Sequence, residues 1–311
     1  MKKTLKIGTR GSPLALAQTE LLVRLLQEKH PALKEPGAVE IVKIVTSGDR
    51  IQDRALSEAG GKGLFTKEIE EALSSGGIDC AVHSMKDMPT QLPEGLAISC
   101  LLPREDPRDA FFSSKAKTPD ELPEGAIVGT SSLRRQAIIL ARRPDLKVVT
   151  FRGNVGTRLK KLEEGVVDAT LLAVAGLKRL GQGSLVQNIL EPDVMLPAVA
   201  QGAIGIETRE NDSALRAMLS AVHCGVTELR VTAERAFLAV MDGSCKTPLA
   251  ALMSVPDPEF RARFDVLVAR PDGRDVKKLS YLMSVRHLGD AKRLGEQAGR
   301  DMKAQLPSGY F

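Results

Sequence analysis

Ile127-Val128-Gly129-Thr130-Ser131-Ser132-Leu133-Arg134-Arg135-Gln136 is a β-branched run that stops at a glycine and passes through two serines into the apolar helical pattern of Ala137, Ile138, Leu140 and Ala141. The same order opens the chain. Lys6-Ile7-Gly8-Thr9-Arg10 reads as a strand, Ser12 as an N-cap, Pro13 as the first helical residue, and Leu14, Ala17, Leu21 and Leu25 as one apolar helix face. A second echo joins Gly77-Ile78-Asp79-Cys80-Ala81-Val82 to Gly165-Val166-Val167-Asp168-Ala169-Thr170. These repeats in one order predict two similar α/β domains with mostly parallel sheets, facing one another across a shared cleft.

The opening stretch carries an electrostatic conflict. Arg134 and Arg135 fall in a first helical turn, where a cation opposes the helix dipole at a cost of about 0.3–1 kcal/mol each. An anion held between the guanidinium groups and the free N–H groups of the helix end reverses that sign. A further cationic loop follows at Phe151-Arg152-Gly153-Asn154-Val155-Gly156-Thr157-Arg158, and Arg10 and Arg179 complete the set. Each alone reads as a surface charge or ion-pair partner. Recurring at strand–helix junctions, they predict a multiply anionic small ligand, with carboxylates favoured because neither a P-loop nor a GxGxxG fingerprint is present.

Working outward, strands are expected at residues 39–45, 79–83 and 96–101 and a helix at 65–73. The prolines at 103, 107, 119 and 123 mark a hinge before the pattern restarts. Ala203-Ile204-Gly205-Ile206-Glu207 reads as a strand returning to the first domain, which becomes discontinuous. From about residue 225 a helix, three alternating strands and a closing helix predict a smaller α+β domain. The expected domains are residues 1–102 with 198–222, residues 103–197, and residues 223–311. The stretch 48–63 has no regular pattern and is expected to be a lid loop, with Lys62 and Phe65 at its far hinge.

Composition bounds the function. The chain has 311 residues, 43% hydrophobic and 27% charged, as in ordinary globular proteins. Aromatics reach only 3%, with no Trp, which disfavours base-stacking platforms. The net charge of +5 is spread among 39 acidic residues without a basic block, so a local anion site explains it better than nucleic acid. No apolar run reaches the ~20 residues needed to cross a bilayer. Residues 1–7 contain no apolar leader, so the expectation is a cytoplasmic protein without membrane partners. Cys80, Cys100, Cys224 and Cys245 lie far apart without a CxxC pair, which argues against structural zinc and a disulfide framework; no metal is indicated.

Cys245 sits in Gly243-Ser244-Cys245-Lys246-Thr247-Pro248, a loop that either packs it as a small apolar residue or presents it as a nucleophile or attachment point. Asp87, in His83-Ser84-Met85-Lys86-Asp87-Met88-Pro89, follows a strand's C-terminal end, where open α/β sheets bind ligands. It reads as an acid/base or cation stabiliser, or as a loop ion pair or helix cap. His83 reads as a satisfied, half-buried histidine rather than as a base. No nucleophile-elbow pattern is present, which disfavours ordinary hydrolase chemistry.

Taken together, these motifs resemble the porphobilinogen deaminase (hydroxymethylbilane synthase) family along nearly the whole chain. The resemblance rests on residues 8–15, Gly60-Gly61-Lys62-Gly63-Leu64-Phe65, residues 83–89, Thr130-Ser131-Ser132-Leu133-Arg134-Arg135-Gln136, Arg152-Gly153-Asn154, Gly176-Leu177-Lys178-Arg179 and Gln201-Gly202-Ala203-Ile204-Gly205-Ile206-Glu207. It implies three domains, the first two like type II periplasmic binding proteins. It also implies head-to-tail condensation of four porphobilinogens with loss of ammonia, in tetrapyrrole (haem) biosynthesis, and hydrolytic release of hydroxymethylbilane.

By the same resemblance, a dipyrromethane cofactor is linked covalently to Cys245. Asp87 stabilises the cation left by ammonia and assists proton transfer. Lys86, Ser132, Arg134 and Arg135 hold the cofactor, and Arg10, Ser12, Arg152, Arg158 and Arg179 the substrate carboxylates. The family implies a monomer. Many members read Gly-Gly-Cys at the anchor, whereas this chain has Ser244 before Cys245 and Lys246 after it. Attachment is expected to survive, with Lys246 lowering the thiol pKa or pairing with a cofactor carboxylate. The competing reading, a non-catalytic binder of organic anions, leaves Asp87, Cys245 and the third domain without a role.

Overall fold

The computed structural model describes residues 4–50, 64–242, 247–307 and 309–310. The first elements are β1 (Leu5–Arg10), α1 (Pro13–Lys29), β2 (Val39–Ile44), the single turn α2 (Ser47–Arg50), α3 (Lys67–Ser74), β3 (Cys80–Ser84) and β4 (Leu96–Leu101). There follow β5 (Asp109–Ser113), β6 (Ile127–Gly129), α4 (Leu133–Arg142), β7 (Lys147–Val149), α5 (Val155–Glu163), β8 (Ala169–Ala173), α6 (Val174–Arg179) and β9 (Asn188–Leu190). The remainder is β10 (Ile204–Arg209), α7 (Ser213–Ser220), α8 (Gly225–Val240), β11 (Leu249–Met253), β12 (Arg261–Val268), β13 (Lys277–Ser284) and α9 (Leu288–Ala304).

The repeat seen in the sequence is a repeat of topology. One five-stranded sheet has the order β2-β1-β3-β10-β4 and another the order β7-β6-β8-β5-β9. In the first, β1 runs parallel to β2 and β3, and β10 is antiparallel to β3 and β4. In the second, β6 runs parallel to β7 and β8, and β5 is antiparallel to β8 and β9. Each half borrows its antiparallel strand from across the crossover, so β10 does return to the first sheet. Two α/β sheets of matching strand order are thus followed by a smaller C-terminal α+β part.

The echoed aspartates explain why both halves fold alike. Asp79 accepts the N–H of Lys6 at 2.9 Å and donates its own N–H to the Lys6 carbonyl. Asp168 accepts the N–H of Ile127 at 2.7 Å and donates to the Ile127 carbonyl. Each side chain thus satisfies a main-chain donor at the start of a central strand. Ser12 caps α1 by accepting from the Ala15 N–H, and Ser132 caps α4 by accepting from the Arg135 N–H.

The buried face of α1 differs from the apolar stripe expected. Ala15, Gln18, Thr19, Leu22 and Leu26 are buried, whereas Leu21 and Leu25 are only partly covered. Two polar residues conceal that face in the sequence: Thr19 bonds the Ala15 carbonyl at 2.9 Å, and Gln18 bonds Ser84.

The chain gathers into two compact units, Met1–Arg104 with Ala203–Thr227, and Glu105–Gly202 with Glu228–Phe311. Where the sequence suggests three domains, the third sheet, β11-β12-β13, shares a core with the second. Phe111, Val128, Ile138, Ile139 and Leu171 pack in one cluster with Ala250, Leu267 and Ala269. The fully buried Glu234 ties them further, accepting from the N–H groups of Ala200 at 2.7 Å and Met253 at 3.0 Å. The bonds of Ala200 to Glu234 and of Gln201 to the Pro107 carbonyl place that crossover with the second unit. Cys224 and Thr227, bonded to Leu101 and Arg104, belong to the first. Among the described residues no helix is long and apolar enough to cross a membrane.

Candidate functional site

In the first unit β1 and β3 end side by side, so the turns that follow them converge. A pocket there is lined by Arg10, Ser12, Leu14, Gln18, Phe65, Thr66, His83, Ser84 and Asp87, among others. The structure therefore brings together four residues singled out from sequence: Arg10, Ser12, Phe65 and Asp87. Asp87 ends a short 3₁₀ turn, Met85–Asp87, that directly continues β3. It is half-buried and, among the described residues, its carboxylate makes no hydrogen bond or ion pair. The loop-ion-pair and helix-cap readings of Asp87 thus have no partner to support them. Lys86 is half-buried beside it.

Arg10 is held rather than loose. Its Nε lies 3.2 Å from Asp49, and its guanidinium stacks 4.1 Å from the centroid of the Phe65 ring. Burial would raise the Asp49 carboxyl, but hydrogen bonds from Arg10 and Thr46 and the Arg10 charge outweigh it and hold the group below its ordinary value. Gly48 makes the stack possible, since a Cβ there would stand 2.3 Å from the Phe65 ring. Its N–H donates to the Leu64 carbonyl at 2.7 Å, joining the two ends of the stretch expected to be a lid. Lys62 and residues 51–63 lie outside the described residues, as does Cys245 with its neighbours 243–246.

The second unit holds the arginines. Arg134 and Arg135 do occupy the first turn of α4, but the anion that turn requires is supplied by the protein. Asp109, at the start of β5 and fully buried, takes Arg134 Nη2 at 2.8 Å on one oxygen and Arg135 Nη2 at 2.7 Å on the other. The Nη1 groups donate to the carbonyls of Leu196 and Leu171. Burial opposes the charge on Asp109, yet the two guanidinium groups hold its carboxyl well below the usual carboxylate range. Both arginine Nε atoms are buried without a hydrogen-bond partner among the described residues.

Positive charge is left over nearby. Arg158, half-buried on α5, is pushed down to about 10 by burial and then by the charges of Arg135 and Arg152. Its Nε donates to the Gly153 carbonyl. One aspartate therefore faces several cations, and the surplus suits an anion. Arg179 departs from the expected strand–helix junction: it ends α6, where a cation suits the dipole, and bonds the Gly202 carbonyl at 2.6 Å. Burial lowers it to about 10, opposed by Glu105.

Ser12 and Ser132 spend an oxygen lone pair on their helix caps, which leaves the hydroxyl proton to donate. Sequence reasoning missed Asp109 and Gln18, and took Gln201 and Glu207 only as parts of a family motif. The only signal for Asp109 was the unbalanced Arg134-Arg135 pair itself. His83, read as satisfied and half-buried, is buried: its Nε2 lies 2.9 Å from the buried Glu207, while its Nδ1 bonds no described residue. Among the described residues no group of His, Cys, Asp and Glu could hold a metal ion.

Two family models match the chain: the dipyromethane cofactor binding domain of porphobilinogen deaminase over residues 5–217, and the porphobilinogen deaminase C-terminal domain over residues 228–304. A curated porphobilinogen deaminase from Paracoccus denitrificans is 52% identical over 99% of this chain and 96% of its own length. A chloroplastic porphobilinogen deaminase from Oryza sativa is also 52% identical, over 99% of this chain and 85% of its own length. Among solved structures, a periplasmic substrate-binding protein of an ABC transporter from Coxiella burnetii is similar at 15% identity with a TM-score of 0.43, covering 72% of this chain and 94% of that one.

Proposed function

The chain belongs to the porphobilinogen deaminase family, and from that premise we propose how its own residues carry the family's reaction. The activity is that of a transferase of tetrapyrrole biosynthesis, which condenses porphobilinogen with loss of ammonia and works with a dipyrromethane cofactor. When bound, that cofactor supplies the pyrrole that primes chain growth. The donor set fits it. A pyrrole chain bearing acetate and propionate arms needs guanidinium partners, and Arg135, Arg152 and Arg158 form a cationic group in which one charge depresses another.

The observation that carries the reading is Asp87. A half-buried carboxylate with no partner among the described residues stabilises a cation, or accepts pyrrole N–H groups, without first breaking an ion pair there. Loss of ammonia from porphobilinogen leaves a cationic methylene-pyrrole, and Asp87 faces the pocket where such a group would sit. Arg10, steadied by Asp49 and Phe65, and the Ser12 hydroxyl take a substrate carboxylate there. In the second unit Arg152 and Arg158 take further carboxylates, with Arg179 and Lys86 contributing charge. Arg134, Arg135 and Ser132 support the cofactor from beneath: with side chains only 5% and 7% exposed, the two arginines act chiefly through their field.

Cys245 is the proposed attachment point, and Lys62 and Phe65 belong to the proposed lid. The same proposal includes three domains, a monomer, no nucleic-acid partner and a cytoplasmic location. The free thiols of Cys80, Cys100 and Cys224 support that location. Intact mass spectrometry of the purified chain tests the reading. An adduct of two pyrrole units that disappears in Cys245→Ser, together with porphobilinogen consumption by the wild type, supports it. An unmodified, inactive wild type grown with substrate available overturns it.

A further inference from the structure

Behind Asp87 the pocket wall is His83, and it has a buried partner that the reaction as described does not use. Val82 and His83 on β3 stand opposite Ile206 and Gly205 on β10, so Glu207 reaches the imidazole from the adjacent strand. The His83 Nε2 to Glu207 Oε2 distance is 2.9 Å, with Glu207 fully buried. The other Glu207 oxygen is buried without a partner among the described residues, an expensive arrangement for a residue with a purely structural role. Nδ1 of His83 makes no hydrogen bond to a described residue, and His83 lines the pocket that holds Asp87, Arg10 and Ser12.

We propose that His83, oriented and charge-balanced by Glu207, is the base that takes the proton displaced when a pyrrole carbon bonds to the incoming methylene. The inference rests on the function proposed above. The step balances. The new C–C bond forms with a pyrrole π pair, the α-C–H bond breaks and returns its electron pair to the ring, and the proton passes to Nδ1. Imidazolium charge then faces the Glu207 carboxylate until the proton leaves for solvent or the released ammonia. The work is divided: Asp87 stays anionic beside the cation, and a separate group handles the proton. Imidazole suits this because one ring nitrogen accepts the proton while the other stays hydrogen-bonded to the carboxylate.

The charged groups around His83 are Glu207 on β10, Glu70 on α3, Asp87 on the turn after β3 and Arg10 at the end of β1. Burial lifts Glu70 above the ordinary carboxyl range, with Glu207 adding to the rise and Thr66 and His83 opposing it. The half-buried Glu70 and the buried Glu207 therefore sit in one field with His83, and Glu207 is the partner in contact with the ring.

The first test needs no turnover. Long-range ¹H–¹⁵N spectra of the full-length protein at neutral pH should show His83 protonated at Nε2 and bare at Nδ1; a neutral ring protonated at Nδ1 overturns the proposal. The second uses α-deuterated porphobilinogen. His83→Gln should lower kcat by about 10²–10³-fold and enlarge the deuterium effect, and Glu207→Gln should move both in the same direction by less. A His83→Gln enzyme within about threefold of wild type, with no larger isotope effect, overturns it. If His83→Gln does not fold, Glu207→Gln decides by the same isotope effect. A wild type that ignores porphobilinogen overturns the function instead, while the spectra still report the tautomer.

Discussion

Asp109 Oδ1 stands 2.7 Å from Arg135 Nη2, and the pair is sealed from solvent at the first turn of α4. With Arg134 on the other oxygen, the carboxylate offsets part of the charge that the helix end disfavours. Removing it leaves two buried cations facing a helix N-terminus. Asp109→Asn should cost about 3–5 kcal/mol of stability, measured by denaturant unfolding. The sign with pH follows from a depressed folded pKa: the contribution is present above the unfolded value of about 3.9 and is lost as pH falls through the folded one. The variant's stability should therefore fall less steeply in acid than that of the wild type.

Asp87→Asn should behave in the opposite way. Among the described residues the carboxylate has no partner to lose, so thermal stability should stay within about 0.5 kcal/mol, while kcat falls by about 10²-fold or more as cation stabilisation disappears. Paired melting curves and turnover measurements check this. A variant that unfolds early but turns over normally would contradict the role given to Asp87.

Arg158 is repelled by Arg135 and Arg152. Arg158→Gln should leave stability unchanged or slightly higher and raise KM for porphobilinogen by about tenfold, the equivalent of one charge-assisted carboxylate contact of roughly 1.4 kcal/mol. Steady-state kinetics with differential scanning calorimetry separate the two effects.

Gly202 carries φ +86, and a Cβ there would stand 2.5 Å from the Glu105 carbonyl oxygen. Its own carbonyl receives Arg179 Nη2 and the Glu105 N–H. Gly202→Ala should destabilise by at least about 1–3 kcal/mol through combined strain and overlap. Arg179→Gln, which removes one hydrogen bond and no geometry, should cost less in the same assay.

The fold was legible because its signals are local. The passage from β-branched residues through a serine cap into a helix is written in about ten residues, and it occurs twice, at Ser12 and at Ser132. Asp79 and Asp168 were visible as an echo, although their bonds to Lys6 and Ile127 were not. The inward face of α1 was misread because Gln18 and Thr19 are polar by type and buried by position. Arg134 and Arg135 announced an anion, but nothing near them in the chain named Asp109, more than twenty residues away.

The sequence by itself therefore determined the duplicated α/β order, the cationic junctions and the family motifs, since these depend on residue type and short spacing. Only the tertiary structure decided which charges face each other. Asp109 meets Arg134 and Arg135 because β5 enters the sheet beside β8, and Glu207 meets His83 because β10 lies antiparallel to β3. Those pairings join residues distant in the chain through strand order, a property of the assembled sheet that no local pattern encodes.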